Sequence, residues 1–153
     1  MAEYTATVKW TRKPSEIFTD NKYSRAHEWE FDGGVTVPAS SSPHVVKLPL
    51  SNAAAVDPEE AFVASLASCH MLFFLSFAAM KKFTIESYVD RAVGVLGRND
   101  AGRQAMLRVI LHPDITFSGT PPGADELRAL HDRAHHECYI ANSVTTTVEV
   151  EPV

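Results

Sequence analysis

Cysteine is scarce in this chain, with two in 153 residues. That is too few for the disulfide scaffold of a small secreted domain. The chain opens with no secretory signal, because residues 1–10 alternate as a strand instead of running basic and then apolar. The expected compartment is a reducing cytoplasm, where a cysteine pair is more often free, catalytic or metal-binding than structural. Positive charge is also in short supply. A net charge of −5 with no basic stripe argues against a nucleic-acid partner. There is no CxxC, no HExxH and no nicotinamide or flavin motif, so no bound cofactor is expected and reducing equivalents must come from outside. Repeats, low-complexity segments and linkers are absent. With 45% hydrophobic residues, positions 1–153 read as a single domain with a real core.

The one long apolar run organises the rest. Residues 57–82 read DPEEAFVASLASCHMLFFLSFAAMKK. Asp57 suits an N-cap, and Glu60 stands at the spacing of a capping box. Pro58 fits the first helical position, Glu59 and Glu60 the positive first turn, and Lys81 and Lys82 the far end. The helix is apolar nearly all round, which predicts burial. It is about long enough to cross a bilayer. However, Ser65, Ser68, His70 and Ser76 are costly in lipid, so the expected role is the central helix of a globular core with no membrane partner.

Residues 4–11 alternate as a half-buried strand, residues 25–31 (RAHEWEF) as another, and Asp32-Gly33-Gly34 is a hairpin signal returning through residues 35–37. Residues 84–96 and 103–117 are two long strands of a hairpin bent near Pro113, around the turn residues 98–102. Residues 124–140 form a second helix with the stripe Leu127, Leu130, Ala134, Cys138, and residues 145–150 close the chain as a strand. The expected class is α+β in the order βββ-α-ββ-α-β, with antiparallel sheet wrapped around a long buried helix.

Chemistry centres on the cysteines. Cys69 lies on the seam Phe62, Ser65, Leu66, Leu72, Phe73, Ser76 of the first helix, and Cys138 on the stripe of the second. Both stripes pack inward, so the thiols either face each other or serve as small core hydrophobes. A reactive pair requires positive charge beside the attacking thiol and Cα atoms within about 7 Å. Four of the seven histidines, His70, His131, His135 and His136, lie near the cysteines. This opens a zinc reading with Cys69, Cys138 and His135. Adjacent Cys69 and His70 point about 100° apart and chelate poorly together. Glu59 reads plainly as a helix N-terminal charge, and Arg25 as a strand arginine.

The stretch PEEAFVASLASC, with Pro58-Glu59 followed ten residues later by Cys69, is similar to the signature of the OsmC/Ohr family of osmotically inducible and organic hydroperoxide resistance proteins. The segment HHECYIANSV around Cys138 resembles that family's second motif, and the element order agrees over residues 4–150. The resemblance implies a thiol-dependent peroxidase. Cys69 would attack the O–O bond and become a sulfenic acid, and Cys138 would resolve it as a disulfide. Glu59 would be the family's active-site glutamate. For the arginine that pairs with it there is no clear copy of the glycine-rich segment, so Arg25 in YSRAHEWEFDGG is the best match and Arg12 the alternative. Glu59 and Cys69 are ten residues apart, about 15 Å along a helix and roughly 80° off one face. Either the helix breaks between them or the site is built across an intertwined homodimer, which the family forms. Phe62, Leu66, Leu72, Phe73 and Phe77 would wall an apolar pocket suited to an organic hydroperoxide. The reductant would be an external dithiol or lipoyl group. Competing readings are a non-catalytic OsmC-like binding protein and a Cys/His metal-binding protein.

Overall fold

The computed structural model describes all residues, Met1–Val153. Contacts within the chain gather into two compact units, Met1–Ala61 and Phe62–Val153. The element order is βββ-α-ββββ-α-β, interspersed with short 3₁₀ turns.

The first unit holds a three-stranded antiparallel sheet, β1 (Ala6–Lys9), β2 (His27–Phe31) and β3 (Thr36–Ala39), paired in that order. The hairpin signal is realised: Gly34 takes φ +82°, which favours glycine, and its N–H donates to the Phe31 carbonyl. β1 departs from expectation. It is exposed on both faces, with Val8 at 66%. Alternation identifies a strand with one apolar face, but it does not supply the layer that would cover that face.

The helix α1 (Pro58–Met80) begins in this unit and continues unbroken into the second. Its capping box forms as the spacing demands. The Asp57 carboxylate accepts the Glu60 N–H at 2.8 Å, and the Glu60 carboxylate accepts the Asp57 N–H at 3.1 Å. Asp57 is buried, so no water replaces the lost bond. Asp57→Ala should therefore cost about 1 kcal/mol, with Asp57→Asn costing less, read as a shift in the urea midpoint. An unchanged midpoint in the alanine variant would show that the cap carries no weight. At the other end Lys82, at φ +67°, closes the helix in left-handed conformation. Its N–H donates to the Ala79 carbonyl and that of Phe83 to Ala78. The basic pair thus lies beyond the last turn.

In the second unit the expected hairpin is present, but both arms break. β4 (Thr84–Asp90) pairs antiparallel with β7 (Pro113–Ser118), and β5 (Val93–Arg98) with β6 (Gln104–Leu111). The inner and outer halves therefore belong to separate sheets, with register shifts between Ile85 and Ser87 and between Val95 and Leu96. The bend at Pro113 lies where the ladder has no N–H to use. The second helix α2 (Ala124–Glu137) ends earlier than its apolar stripe suggests, leaving Cys138 as an extended C-cap. β8 (Thr147–Val150) then pairs with β6 in parallel, because the chain returns by a crossover through α2.

Two apolar clusters hold this unit. Phe74, Phe77 and Ala78 of α1 pack on Leu130 and Ala134 of α2, and Leu66 of α1 packs on Val109 and Leu111 of β6. The expectation of all-round burial fails for α1. Its buried residues are Leu66, His70, Phe74, Phe77 and Ala78, while Leu72 is 60% and Met80 63% exposed. Two sheets and one helix are too few walls to enclose a 23-residue cylinder.

Candidate functional site

The residues singled out by the sequence fall into two groups. Cys69 and Cys138 belong to the second unit, while Arg25 and Glu59 belong to the first.

Both cysteines are free thiols, with Cys69 half-buried and Cys138 buried. Cys69 is carried by α1, between the buried Leu66 one turn before it and the half-buried Phe73 one turn after. Cys138 owes its position to how α2 stops. Its N–H donates to the His135 carbonyl at 3.3 Å, its carbonyl accepts the Asn142 N–H at 3.0 Å, and its Sγ accepts the Ala141 N–H at 3.4 Å. Asn142 and Ser143 lock this turn. The Asn142 side chain donates to the His136 carbonyl at 2.9 Å, and the Ser143 hydroxyl to the Tyr139 carbonyl at 2.7 Å. Tyr139 meets Phe73 edge-on, with centroids 5.0 Å apart. The motif CYIANS is thus a turn-forming device that aims one sulfur. Burial pushes the Cys138 thiol up to about 11, and the Cys69 side chain beside it acts in the same direction. Cys138 is therefore protonated at neutral pH, and the two thiols face each other.

Four of the five residues expected to wall a substrate pocket at the thiol serve the core instead. Leu66 and Phe77 are buried in the two clusters, Phe62 and Phe73 pack against them, and Leu72 points to solvent. The histidines also sort differently from the zinc reading. His70 and His131 turn inward, while His135 and His136 are exposed. No group of three His, Cys, Asp or Glu side chains comes together to hold a metal ion.

In the first unit, Arg25 and Glu59 line one cleft of about 510 Å³, with Val8, Trp10, Phe18 and Tyr23 among its walls. The aromatic wall is self-packed: Phe18 stacks on Tyr23 at 4.6 Å and Trp10 meets Tyr23 edge-on at 5.3 Å. The Arg25 guanidinium lies over the Tyr23 ring at 3.8 Å. It donates to the Asn21 carbonyl at 3.1 Å, to the Asn21 side chain at 2.8 Å and to the Tyr23 carbonyl. Arg25 and Glu59 share the cleft without forming an ion pair. Arg12 is not among the cleft's lining residues, since its guanidinium is spent on the carbonyls of Lys13, Pro14 and Glu16. The aromatic cleft was not anticipated. Its signal in the sequence is the pair of aromatic residues Phe18 and Tyr23 within the largely polar stretch 12–24.

The chain matches the family described as OsmC-like protein over residues 51–153. An OsmC-like protein of unknown function from Vibrio cholerae is 56% identical over 100% of both chains, with a TM-score of 0.98. The organic hydroperoxide resistance protein OsmC of Legionella pneumophila is 21% identical, with 99% of this chain and 97% of that one covered and a TM-score of 0.68. The organic hydroperoxide resistance protein OhrB of Bacillus subtilis is 19% identical over 98% of each chain, at a TM-score of 0.64. These two share the fold. No curated protein matches the chain. A family match across the central helix, both cysteines and the closing strand, together with a near-superimposable relative, establishes that the chain belongs to the OsmC-like family.

Proposed function

We propose that this protein is a two-cysteine thiol peroxidase for organic hydroperoxides. The observation that carries the reading is the pair of free thiols facing each other, one half-buried and the other buried and protonated. Cys69 attacks as thiolate on the distal oxygen of ROOH. The O–O bond breaks, the alkoxide leaves and takes a proton as ROH, and Cys69 becomes a sulfenic acid. The Cys138 sulfur then attacks the Cys69 sulfur. The S–O bond breaks, hydroxide leaves with the Cys138 proton as water, and the disulfide forms. An external dithiol or lipoyl group returns both thiols in the cytoplasm, by exchange through a mixed disulfide.

Arg25 and Glu59 act in this reading from a second copy of the chain. Because α1 is unbroken, Glu59 stands about 15 Å along the helix from the Cys69 that follows it. The exposed Leu72 and Met80 of α1 and the doubly exposed β1 support a homodimer. There the aromatic cleft of one copy receives the alkyl group of the peroxide, and its Arg25 supplies the positive charge that the thiolate of the other requires. A monomer in sedimentation at micromolar concentration would end the shared-site arrangement.

A non-catalytic binding role is the second reading. It is favoured by the commitment of the Arg25 donors to Asn21 and Tyr23 and by the absence of an Arg25–Glu59 ion pair. Thiol titration separates the two readings. One equivalent of cumene hydroperoxide should consume both thiols of the native chain rapidly, and Cys138→Ser should trap a sulfenic acid. Survival of both thiols, or slow loss equal to that with hydrogen peroxide, would establish the binding role instead.

A further inference from the structure

The chemistry proposed above leaves one buried polar pair unused. His70 of α1 is 1% exposed and His131 of α2 is 3% exposed. His70 Nε2 lies 3.0 Å from His131 Nδ1, and the ring planes differ by 9°. Two neutral imidazoles make this contact with one nitrogen as donor and the other as acceptor. Phe74 stacks on His131 at 4.3 Å and seals it from α1. The outer nitrogens, His70 Nδ1 and His131 Nε2, are buried without a protein partner, as are the Tyr88 hydroxyl and Asp90 Oδ2 of β4. Burial holds both imidazoles well below their ordinary value, at about 4. His131 and His135 add to this at His70, and Asp132 opposes it at His131.

Aliphatic side chains would fill this part of the core without a desolvation cost. What two imidazoles add is direction. Apolar contact between α1 and α2 through Phe74, Phe77, Leu130 and Ala134 tolerates sliding, whereas a buried hydrogen bond has one register. The place where that register is set is informative. His70 is the residue after Cys69, and His131 lies two helical turns before Cys138. Neighbours on α1 point about 100° apart, so one residue aims at the core pair and the other at the thiol pair.

We propose that His70 and His131 are positioning residues, whose hydrogen bond sets the register of α1 against α2 and thereby holds the Cys69 and Cys138 sulfurs in place for intramolecular disulfide closure. This rests on the disulfide step of the peroxidase reading and not on its oxidant. A chemical oxidant therefore tests it separately. With diamide, the thiols lose two protons and two electrons, the S–S bond forms, and the azo N=N bond is reduced to the hydrazine.

The experiment compares native protein, His131→Phe and His131→Asn. The asparagine side chain reaches the Nδ1 position and can keep the bond to His70 Nε2. Phenylalanine keeps the volume and the stack on Phe74 but cannot make the bond. Closure by diamide, and the equilibrium of the thiol pair with a glutathione redox buffer, are both measured on protein shown to be folded by near-ultraviolet circular dichroism. His131→Phe should slow closure tenfold or more and shift the buffer equilibrium toward the dithiol by a similar factor. His131→Asn should recover both to within threefold. Native closure and equilibrium in folded His131→Phe would overturn the proposal. So would equal losses in both variants, since packing alone would then be responsible. If His131→Phe does not fold, His70→Gln, which reaches the Nε2 position, and His70→Leu replace the pair, with the same outcomes deciding. Failure of the native protein to react with cumene hydroperoxide, alongside normal diamide closure, would defeat the peroxidase reading and leave this one standing.

Discussion

Cys69→Ser should reduce consumption of organic hydroperoxide at least about a thousandfold, because removing the nucleophile of a catalytic unit costs far more than removing a group that orients it. Serine is close in volume to cysteine, and residue 69 is only half-buried, so the fold should survive the change. Cys138→Ser should behave differently. Its first equivalent of peroxide should still be consumed at near-native rate, because in the proposed chemistry the buried, protonated Cys138 resolves and does not attack. Turnover supported by an external dithiol should then fall sharply, as the sulfenic acid waits for an outside thiol. The measurement is peroxide loss in stopped flow, single-turnover and steady-state, on both variants. Equal single-turnover rates for native protein and Cys69→Ser would remove Cys69 from the chemistry altogether. Equal losses in both serine variants would mean that the two sulfurs do not divide the roles of attack and resolution.

Stability should decline by about 3 kcal/mol between pH 7 and pH 5, through the His70–His131 pair. Burial lowers both imidazoles to about 4 in the folded chain, from an ordinary value of 6.5. As pH falls through 6.5, the unfolded chain binds protons that the folded chain refuses, so the loss begins there and continues until the folded rings titrate near 4. Well above 6.5, where the unfolded rings are also neutral, the pair contributes no pH dependence. Asp90 runs the other way. Burial raises its carboxyl, so acid favours its folded form and partly offsets the histidines. Urea unfolding at pH 7 and pH 5 measures the sum, and the double variant His70→Leu with His131→Phe isolates the imidazole share. A native protein equally stable at both values would show that the two rings are not held neutral by burial.

Much of the local structure was legible in the residues. The capping box of Asp57 and Glu60, the glycine turn after Phe31 and the paired arms on either side of residues 98–102 all follow from short-range chemistry, in which partners lie within a few positions of each other. The element order, and with it the family, rests on such signals together with two motifs around Cys69 and Cys138. That the thiols face each other was one of two readings of converging stripes, and only tertiary packing chose between them.

Tertiary structure alone decided the remainder. The division of the hairpin arms into two sheets depends on how long strands twist and bulge around α1, and no single residue encodes this. The parallel seat of β8 depends on where the α2 crossover lands. The incomplete cover of α1 could not be read from its composition, because an apolar surface records that something packs there without recording what. The inward choice of His70 and His131 over His135 has the same origin. Helical phase brings four histidines near the cysteines, but the burial of two of them, nitrogen to nitrogen, is set by the crossing of α1 and α2. Periodicity and capping act along the chain and are visible in it. Pairing between distant side chains acts across space, and the sequence by itself specifies it only through the folded whole.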